Sequence, residues 1–306
     1  MDVVSLFSGC GGTDLGFKNA GCNIIIASDS SESACEIYKN NFGFSPINCN
    51  IKKIKKFPNA DILIGCYPCQ GFSFYGNRNM DDPRNYLYLE FLRALKQVKP
   101  KYFVTENVKG LVFGYGKEIM NRMLKSYRRN GYRVYWKLID AKWYGVPQDR
   151  ERIFMVGIKS DLNKKYSFPE PTHGEGLKPY TTLKEAIGDL PEPKENEYWS
   201  GGYSSHYMSR NRKREWNQTS FTIQTQGRHV PLHPSSPTPV KVHRDKYIFT
   251  DNGRETRRLS IRECARIQSF PDSFKFTSSI TSNYKVIGNA VPPLLSEKFA
   301  ESIICI

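Results

Sequence analysis

Cys69 lies where a cysteine side chain could act as a nucleophile. Residues 61–73 read DILIGCYPCQGFS, in which the apolar run 62–64 predicts a buried strand and the glycine and proline residues that follow predict a loop. Functional side chains of α/β sheets are concentrated on loops at the carboxyl ends of the strands. The position therefore predicts a reactive thiol at Cys69.

Cys66 and Cys69 also form a CxxC pair. Such pairs are typical of redox centres and zinc sites, but zinc requires further ligands at suitable spacing. The histidines at positions 206, 229, 233 and 243 have no cysteine partners nearby, so we expect no metal. A redox pair remains an alternative. Because Cys66 continues the strand, we predict that it is packed and that only Cys69 lies in the loop.

A glycine-rich segment, FSGCGGTDLGF at residues 7–17, follows the strand-like run 3–7. Glycines allow a sharp turn and a close approach to a ligand at a helix amino terminus, which predicts a nucleotide-type cofactor loop. The segment lacks the spacing of the dinucleotide fingerprint and the lysine of a phosphate-binding loop. Asp29, which ends the next predicted strand, could bind ribose hydroxyls or cap a helix.

Glu106 and the arginines of QDRERIF are the remaining candidates for a site. We expect Glu106 to follow the predicted strand 102–105 and to converge with Cys69 at the carboxyl edge of the sheet. Arg150 and Arg152 are predicted just before the strand 153–158. On their own they could equally be a solvated charge cluster.

The pattern of strands and helices must position these side chains. Strand-like runs alternate with helical periodicity through residues 1–160, which predicts an α/β fold with a mostly parallel sheet and helices on both faces. The predicted strands not yet mentioned are 24–27 and 134–139, and the predicted helices are 13–20, 31–41, 88–98 and 117–130.

The composition indicates a globular protein with a polyanionic partner. The 306 residues are 39% hydrophobic and carry a net charge of +15, which favours nucleic acid or anionic lipid as a partner. No run approaches the about 18 apolar residues of a membrane span, and no cationic leader is evident, so we expect a cytoplasmic protein. The eight scattered cysteines are typical of reduced thiols.

The pattern changes near residue 165. Residues 169–239 are rich in Pro, Gly, Ser, His and Tyr, which is typical of a small loop-rich domain. Residues 201–270 contain 13 Lys and Arg against 5 Asp and Glu, so the positive charge is concentrated there. Ser260 and Glu263 form a capping-box pattern that predicts a helix to residue 268, and 296–304 predicts a last helix that returns to the core.

Six motifs in order make the chain resemble the DNA (cytosine-5)-methyltransferases over nearly its whole length. They are FSGCGG at 7–12, PCQGFS at 68–73, ENV at 106–108, YGVPQDRER at 144–152, RLSIRECARIQSFPDSF at 258–274 and GNAVPP at 288–293. The resemblance implies a Rossmann-like, S-adenosylmethionine-dependent methyltransferase domain at 1–165 and 277–306. It implies a target-recognition domain at 166–276 that binds double-stranded DNA.

The resemblance also assigns catalytic roles. Cys69 would add to C6 of a cytosine that has been flipped out of the duplex, because C5 alone is a poor nucleophile. Glu106 would hydrogen-bond or protonate N3, Arg152 would contact the base at O2, and Arg150 belongs to the same catalytic set. No metal is expected.

The cofactor site implied by the resemblance is spread along the chain. Its residues would be Phe7, Gly9, Cys10, Gly11, Gly12, Asp29, Ser30, Asn50, Ile51, Pro68, Leu87, Asn289 and Val291. Three positions depart from the family pattern: Ser30 replaces an aromatic residue, Asn50 a frequent aspartate, and Asn85 a frequent glycine. These departures bear on cofactor affinity more than on the reaction.

Residues 208–217 and 221–234 resemble the branch of bacterial enzymes that recognises GGCC, the HaeIII type. Arginine pairs bidentately with guanine, so Arg210, Arg212 and Arg228 are the candidate base readers, with Gln226 beside them. Gln70 and Ser73 are further candidates for DNA contact. The arginines could instead contact phosphates, which take most hydrogen bonds in such interfaces.

The resemblance implies a monomeric modification enzyme of a bacterial or phage restriction system, whose cognate endonuclease acts on the same site without a stable complex. A tRNA cytosine methyltransferase is an alternative, but the Cys-Phe-Thr signature of that branch is absent from the sequence. A catalytically silent nucleic-acid-binding module is another alternative, although Cys69, Glu106 and Arg152 are all present.

Overall fold

The computed structural model describes residues 1–68, 82–244, 246–250 and 256–306. These residues divide into two compact units. The first unit comprises Met1–Asp140, Glu151–Glu170 and Leu295–Ile306, and the second comprises Ala141–Arg150 and Pro171–Leu294. The chain therefore enters the second unit twice. The functional domains implied by the resemblance, with boundaries at 165 and 277, remain a proposal.

The first unit contains a seven-stranded sheet within the described residues. The strand order is β3-β2-β1-β4-β5-β7-β6, in which the first five strands pair in parallel. Strand β7 is antiparallel to β5, and β6 is antiparallel to β7, so β6 runs in the same direction as the first five. The strands are β1 Asp2–Leu6, β2 Asn23–Asp29, β3 Ile47–Asn48, β4 Ile62–Gly65, β5 Tyr102–Val108, β6 Tyr132–Asp140 and β7 Glu151–Lys159. The predicted α/β fold with a mostly parallel sheet is confirmed.

Helices cover both faces of this sheet. The helices of the first unit are α1 Gly12–Asn19, α2 Glu32–Phe42, α3 Tyr88–Val98, α4 Tyr115–Arg129 and, from Leu295 onward, α9 Pro293–Ile304. Phe103 of β5 packs on Phe91 of α3, whereas Phe154 of β7 stacks on Phe299 of α9 with ring centroids 4.1 Å apart. Phe154 pairs with Glu106 and therefore lies on the same face of the sheet as Glu106. Side chains alternate between faces along a strand, so Phe103, three residues before Glu106, lies on the opposite face. The two aromatic contacts are therefore on opposite faces of the sheet.

Strands β5 and β7 extend beyond the predicted ranges 102–105 and 153–158, and this corrects the placement of two candidate residues. Glu106 lies inside β5 rather than after it, and Arg152 lies inside β7 rather than before it. Polar residues at these positions interrupt the apolar pattern by which strands were predicted from the sequence. The strand pairing nevertheless continues through them, since Val108 pairs with Arg152 and Glu106 pairs with Phe154.

The second unit is rich in loops, as predicted. Its elements are the helices α5 Leu183–Ile187, α6 Ser205–Met208, α7 Ile261–Ile267 and α8 Ile280–Asn289, and the hairpin of β8 Pro239–His243 with β9 Lys246–Phe249. The predicted capping box is present: Glu263 N–H donates to Ser260 Oγ, and Ser260 N–H donates to the Glu263 carboxylate at 2.6 Å. None of the described helices is long and apolar enough to cross a membrane.

Buried ion pairs order the loops of this second unit. Arg257 donates two hydrogen bonds of 2.9 Å to Glu263, and both side chains are only 3% exposed. His233 Nε2 lies 3.4 Å from the same carboxylate. The Arg257–Glu263 pair connects the segment before α7 to the helix itself. Removing one partner of such a buried pair lowers the free energy of unfolding by about 3–5 kcal/mol.

The junction of β5 and β7 should be intolerant of added volume. A Cβ atom at Gly157 would lie 1.9 Å from Cε1 of Phe103, so we expect Gly157→Ala to lower the free energy of unfolding by about 1–3 kcal/mol. Urea titration measures this change. Gly202→Ala is the matched control because its Cβ would meet no described atom within 4 Å. Equal stability of the two variants would contradict the packing argument.

Candidate active site

The glycine-rich loop connects β1 to α1 through a strained backbone. Phe7, Gly9 and Gly11 have φ angles of 58°, 56° and 93°, all in the left-handed region. This region is unfavourable for a bulky residue such as Phe7, and such strain is concentrated at functional sites. Gly11 is the N-cap of α1, and its N–H donates to Ser8 O at 2.9 Å.

Asp29 fixes this loop to the end of β2. Its Oδ2 accepts a hydrogen bond of 2.9 Å from the Gly9 N–H, and its Oδ1 accepts one of 2.8 Å from the Ser31 N–H. The N-cap of α2 is Ser31, whose hydroxyl accepts from the Ala34 N–H. The helix cap of α2 is therefore Ser31 and not Asp29. The other interpretation of Asp29, a contact with a ribose, remains a prediction.

The loop leaves space on one side and is tightly packed on the other. A Cβ at Gly9 would meet no described atom within 4 Å, whereas one at Gly11 would lie 2.4 Å from Cε2 of Phe42. Phe42 is itself held by stacking on Tyr38, with centroids 4.0 Å apart. A fixed wall behind the loop and open space at Gly9, next to an acceptor carboxylate, fit an adenosine-type cofactor such as S-adenosylmethionine.

The other predicted cofactor residues differ in their surroundings. Gly12, Cys10, Ile51 and Val291 are buried, Phe7, Pro68 and Leu87 are half-buried, and Ser30, Asn50 and Asn289 are exposed. Burial raises the pKa of the Cys10 thiol to about 12, so this cysteine is inert. Asn50 Oδ1 accepts from the Lys52 N–H and caps the 3-10 helix Ile51–Lys53. Asn289 and Val291 belong to the second unit.

Asp14 is a buried carboxyl group behind the loop that the sequence patterns did not identify. It accepts hydrogen bonds from Ser5 Oγ at 2.6 Å and from the Tyr38 hydroxyl at 2.8 Å. Burial raises its pKa from 3.8 to about 6, although both hydroxyl groups oppose the shift. The signal in the sequence was an acidic residue on the buried face of α1, between Thr13 and Phe17.

Glu106 and Arg152 form an ion pair at the carboxyl end of β5. Arg152 Nε lies 3.0 Å from Glu106 Oε1, and the two side chains are 18% and 11% exposed. They are diagonal neighbours on one sheet face, because Glu106 pairs with Phe154 two residues away from Arg152. Burial lowers the pKa of Arg152 and the adjacent Glu106 opposes this effect, so the arginine keeps its charge. The structure thus brings together two of the predicted catalytic residues.

Asn107 connects this pair to the segment that leads to Cys69. Its Nδ2 donates to the carbonyl oxygen of Tyr67 at 3.2 Å. Cys69, Gln70 and Ser73 lie outside the described residues, so their predicted roles remain predictions. Pro68 is the last described residue before them.

Cys66 has the surroundings of an unreactive thiol. It follows β4 directly, and its Sγ lies 3.4 Å from Thr13 Oγ1. Burial raises the pKa of the thiol well above its ordinary value, and the nearby Glu106 carboxylate raises it further. Thiolate formation is therefore suppressed at Cys66. Among the described residues no cluster of three His, Cys, Asp or Glu side chains could hold a metal ion.

Arg150 and Arg152 belong to different units: Arg150 is the last residue of the segment Ala141–Arg150 of the second unit, and Arg152 lies in the first unit. Arg150 is 2% exposed and donates through Nη2 to the carbonyl oxygens of Gly288 and Ala290 at 3.1 and 3.0 Å. These bonds fix the turn that follows α8. Arg150 therefore positions backbone in the second unit, and its catalytic role remains a prediction.

Asp149 organises the segment that precedes Arg150. Its carboxylate accepts from Lys142 Nζ at 2.9 Å, from Arg214 Nη2 at 2.9 Å and from Thr219 Oγ1 at 3.1 Å. The Arg214 guanidinium also lies 4.0 Å from the centre of the Phe221 ring. Arg214 is thus held within the second unit by the Asp149 carboxylate and the Phe221 ring, which distinguishes it from the three arginines predicted to read DNA.

Those three arginines lie in different environments of the second unit. Arg210 is exposed, Arg228 is exposed and donates through Nε to Gln226 Oε1 at 2.9 Å, and Arg212 is half-buried with its guanidinium 5.2 Å from the centre of the Tyr207 ring. Gln226, which was expected beside these arginines, thus contacts Arg228 directly. The role of each residue in DNA binding remains a prediction.

Comparison with known proteins places this geometry in a family. The profile of the C-5 cytosine-specific DNA methylases matches residues 1–305. Type II methyltransferase M.BsuRI of Bacillus subtilis is 44% identical over 99% of this chain and 79% of its own length. Type II methyltransferase M.MthTI of Methanothermobacter thermautotrophicus is 42% identical over 99% of this chain and 97% of its own length.

Solved structures share the fold at lower identity. The Schizosaccharomyces pombe Dnmt2 methyltransferase superposes with a TM-score of 0.75 and 20% identity, and covers 98% of this chain and 97% of its own. A Spodoptera frugiperda DNMT2 mutant gives a TM-score of 0.74, 19% identity and 99% coverage of both chains. The fold is that of a Rossmann-like methyltransferase. The chain belongs to the C-5 cytosine-specific DNA methylase family: it is a DNA cytosine-5-methyltransferase, and its family uses S-adenosylmethionine.

The packed wall behind the cofactor loop predicts a loss of cofactor binding when it is disturbed. Gly11→Ala adds a methyl group 2.4 Å from Phe42 at a left-handed residue, so we expect S-adenosylmethionine to bind at least about tenfold more weakly by calorimetry. Gly21→Ala is the matched control, since Gly21 is also left-handed, at φ 87°, but has no described atom near its Cβ. An equal loss in both variants would show that strain alone is responsible.

The buried Asp14 predicts a dependence of stability on pH. The folded protein favours the neutral acid, since the folded pKa of about 6 lies above the unfolded value of 3.8. Stability from this group is therefore complete below pH 4 and falls by about 3 kcal/mol as the pH rises through 6. Urea titration from pH 4 to 7 should show that Asp14→Asn abolishes this fall. Parallel stability profiles for the two proteins would contradict the assignment.

Proposed function

We propose that the protein methylates C5 of one cytosine within a fixed double-stranded DNA site, as the modification enzyme of a Type II restriction system. The observation that carries the proposal is the Glu106–Arg152 ion pair, which lies in the same sheet as the loop after β1 and the Asp29 carboxylate that fit the cofactor. Its relatives bear the name Type II methyltransferase, which supports the pairing with an endonuclease of the same specificity. We propose that the enzyme acts as a monomer, needs no metal and forms no stable complex with that endonuclease.

The chemistry begins with activation of the pyrimidine ring. The Cys69 thiolate adds to C6, and Glu106, which must take up a proton before this step, donates it to N3, so that the electron pair of the C5–C6 double bond makes C5 nucleophilic. S-adenosylmethionine, when bound, would supply an electrophilic methyl group to C5 and leave as S-adenosylhomocysteine, whose sulfur keeps the electron pair of the broken S–CH3 bond. Loss of the C5 proton to a base then restores the C5–C6 double bond and expels the Cys69 thiolate, and N3 returns its proton to Glu106.

The ion pair gives Glu106 and Arg152 separate tasks in this sequence. The contact of Arg152 Nε with Glu106 Oε1 holds the carboxyl group in one orientation on the sheet face. The guanidinium is then fixed beside the same ring edge, where its charge offsets negative charge at O2 of the base. Because both residues belong to strands rather than loops, their spacing is set by the β5–β7 register.

Site recognition is assigned to the second unit. We propose GGCC as the target, on the resemblance of residues 208–217 and 221–234 to the HaeIII-type branch. Arg210, Arg212 and Arg228 would read guanine in the major groove, since a guanidinium pairs bidentately with O6 and N7. The cytosine must leave the duplex to reach Cys69, which costs a few kcal/mol that contacts to the basic second unit offset.

Bisulfite sequencing of plasmid DNA from cells that express the protein tests this function. The expected result is 5-methylcytosine at one fixed cytosine of every GGCC site, and absence of 5-methylcytosine from any fixed motif would refute the proposal. Methylation at a different fixed site would preserve the reaction and refute only the target. Cytosine methylation of transfer RNA from the same cells should not exceed the background of cells that lack the protein.

The two thiols of the CxxC pair should separate in this assay. Cys69→Ser should abolish methylation, because a serine hydroxyl is far less nucleophilic than a thiolate toward C6. Cys66→Ser should retain activity within about threefold, since its thiol is buried beside Thr13 and has a raised pKa. Full activity of Cys69→Ser, or loss of activity only in Cys66→Ser, would contradict the assigned chemistry.

A further inference from the structure

The aromatic ring of Tyr207 is the point where two arginines of the second unit meet. Tyr207 lies in α6 and is 1% exposed. The guanidinium carbon of Arg258 lies 4.7 Å from the ring centre, and that of Arg212 lies 5.2 Å away. The Tyr207 hydroxyl donates to Val230 O at 2.7 Å, which fixes the ring in its plane. A buried and anchored ring is thus in cation–π contact with both cations.

Arg258 supports the ring and is bound within the second unit. It is 1% exposed, donates through Nη1 to Gly201 O at 2.7 Å and through Nη2 to Gly202 O at 3.0 Å, and lies 4.1 Å from the Tyr203 ring. Its charge and its Nη donors are therefore committed to the scaffold, whereas its buried Nε has no partner among the described residues. Arg258 holds Tyr207 from within the unit.

Arg212 differs from Arg258, because its backbone is held by a hydrogen bond whereas its guanidinium keeps a donor without a partner in the described part of the chain. Its carbonyl oxygen accepts from the Leu232 N–H at 2.9 Å, and Leu232 forms an antiparallel bridge with Arg258. The Arg212 Nε is buried and has no hydrogen-bond partner among the residues that the structure describes. A buried donor without a partner is unfavourable. Arg214 Nε and Arg258 Nε share this state, but the Nη atoms of those two arginines donate to Asp149, Gly201 and Gly202.

The other candidate readers lack this arrangement. Arg228 donates its Nε to Gln226, and Arg214 is occupied by Asp149 and Phe221. Arg210 is exposed. Arg212 is thus the candidate whose guanidinium is oriented by an aromatic ring rather than by a polar partner, which leaves its planar set of donors for a base edge.

We propose that Tyr207 is a positioning residue for site recognition: its ring holds the Arg212 guanidinium in the plane in which it pairs with a guanine. The inference rests on the proposed function, because it requires Arg212 to read a base. Bidentate pairing depends on orientation, so a guanidinium without the ring would still contribute charge but would lose selectivity. The expected consequence is a change in discrimination between bases rather than a uniform loss of DNA affinity.

The experiment uses the duplex site found by bisulfite sequencing and the same duplex with 7-deazaguanine at each guanine in turn. This substitution removes N7 and hence one hydrogen bond of the bidentate pair. In the native protein, 7-deazaguanine at the guanine read by Arg212 should lower kcat/KM by about tenfold. Arg212→Ala identifies that guanine, because the penalty should fall below about twofold there and persist at the others.

Tyr207→Leu should behave like Arg212→Ala at that guanine, with the penalty falling below about twofold. Tyr207→Phe keeps the ring and should keep most of the penalty. Phe221→Leu is the matched control, because it removes a ring in cation–π contact with Arg214 rather than Arg212, and it should keep the full penalty. A merely structural role of Tyr207 would lower activity equally on all duplexes and leave the penalty unchanged.

Two outcomes would overturn the inference in distinguishable ways. If Arg212→Ala loses the penalty and Tyr207→Leu keeps it, the positioning role is refuted and the proposed recognition role of Arg212 stands. If Arg212→Ala keeps the penalty at every guanine, the recognition role and the positioning role fail together. Should Tyr207→Leu prove to have a much lower Tm than the native protein, Tyr207→Met, which fills similar volume without a ring, replaces it in the same comparison.

Discussion

The contact of Arg152 with Glu106 is the constraint on which the proposed reaction depends. It exists because β7 runs antiparallel to β5, so that a residue near the start of β7 faces one near the end of β5. A fully parallel sheet would place the start of one strand at the opposite edge from the end of its neighbour. The reversal of β7 in the described sheet therefore brings a carboxyl group and a guanidinium to the edge where Cys69 is expected.

Charge also stabilises the irregular backbone of both units. In the first unit the Asp29 carboxylate holds the strained loop from Phe7 to Gly11. In the second unit the Arg257–Glu263 pair orders segments that have few apolar residues. Loops that cannot bury much apolar surface gain order from hydrogen-bonded charges instead, at the cost of desolvation. This explains how a loop-rich unit can hold the side chains assigned to DNA recognition.

Sequence patterns identified the elements better than the contacts between them. Alternation of strands and helices predicted the sheet, and the Ser260–Glu263 pattern predicted a capped helix, because both depend on local chemistry. The extension of β5 through Glu106 and of β7 through Arg152 was missed, since a charged residue inside a strand is stabilised by a partner distant in sequence. The separation of Arg150 from Arg152, the burial of Asp14 and the contacts of Tyr207 are tertiary for the same reason.

The central claim is that Cys69 attacks a cytosine held at the Glu106–Arg152 pair. A duplex that carries 5-fluorocytosine at the methylated position tests it, because fluorine cannot leave C5 as the proton does and the adduct persists. With S-adenosylmethionine present, tandem mass spectrometry of the digested complex should locate one methylated nucleotide adduct on Cys69. An adduct on Cys66, or no covalent complex in a protein that methylates the normal duplex, would contradict the account.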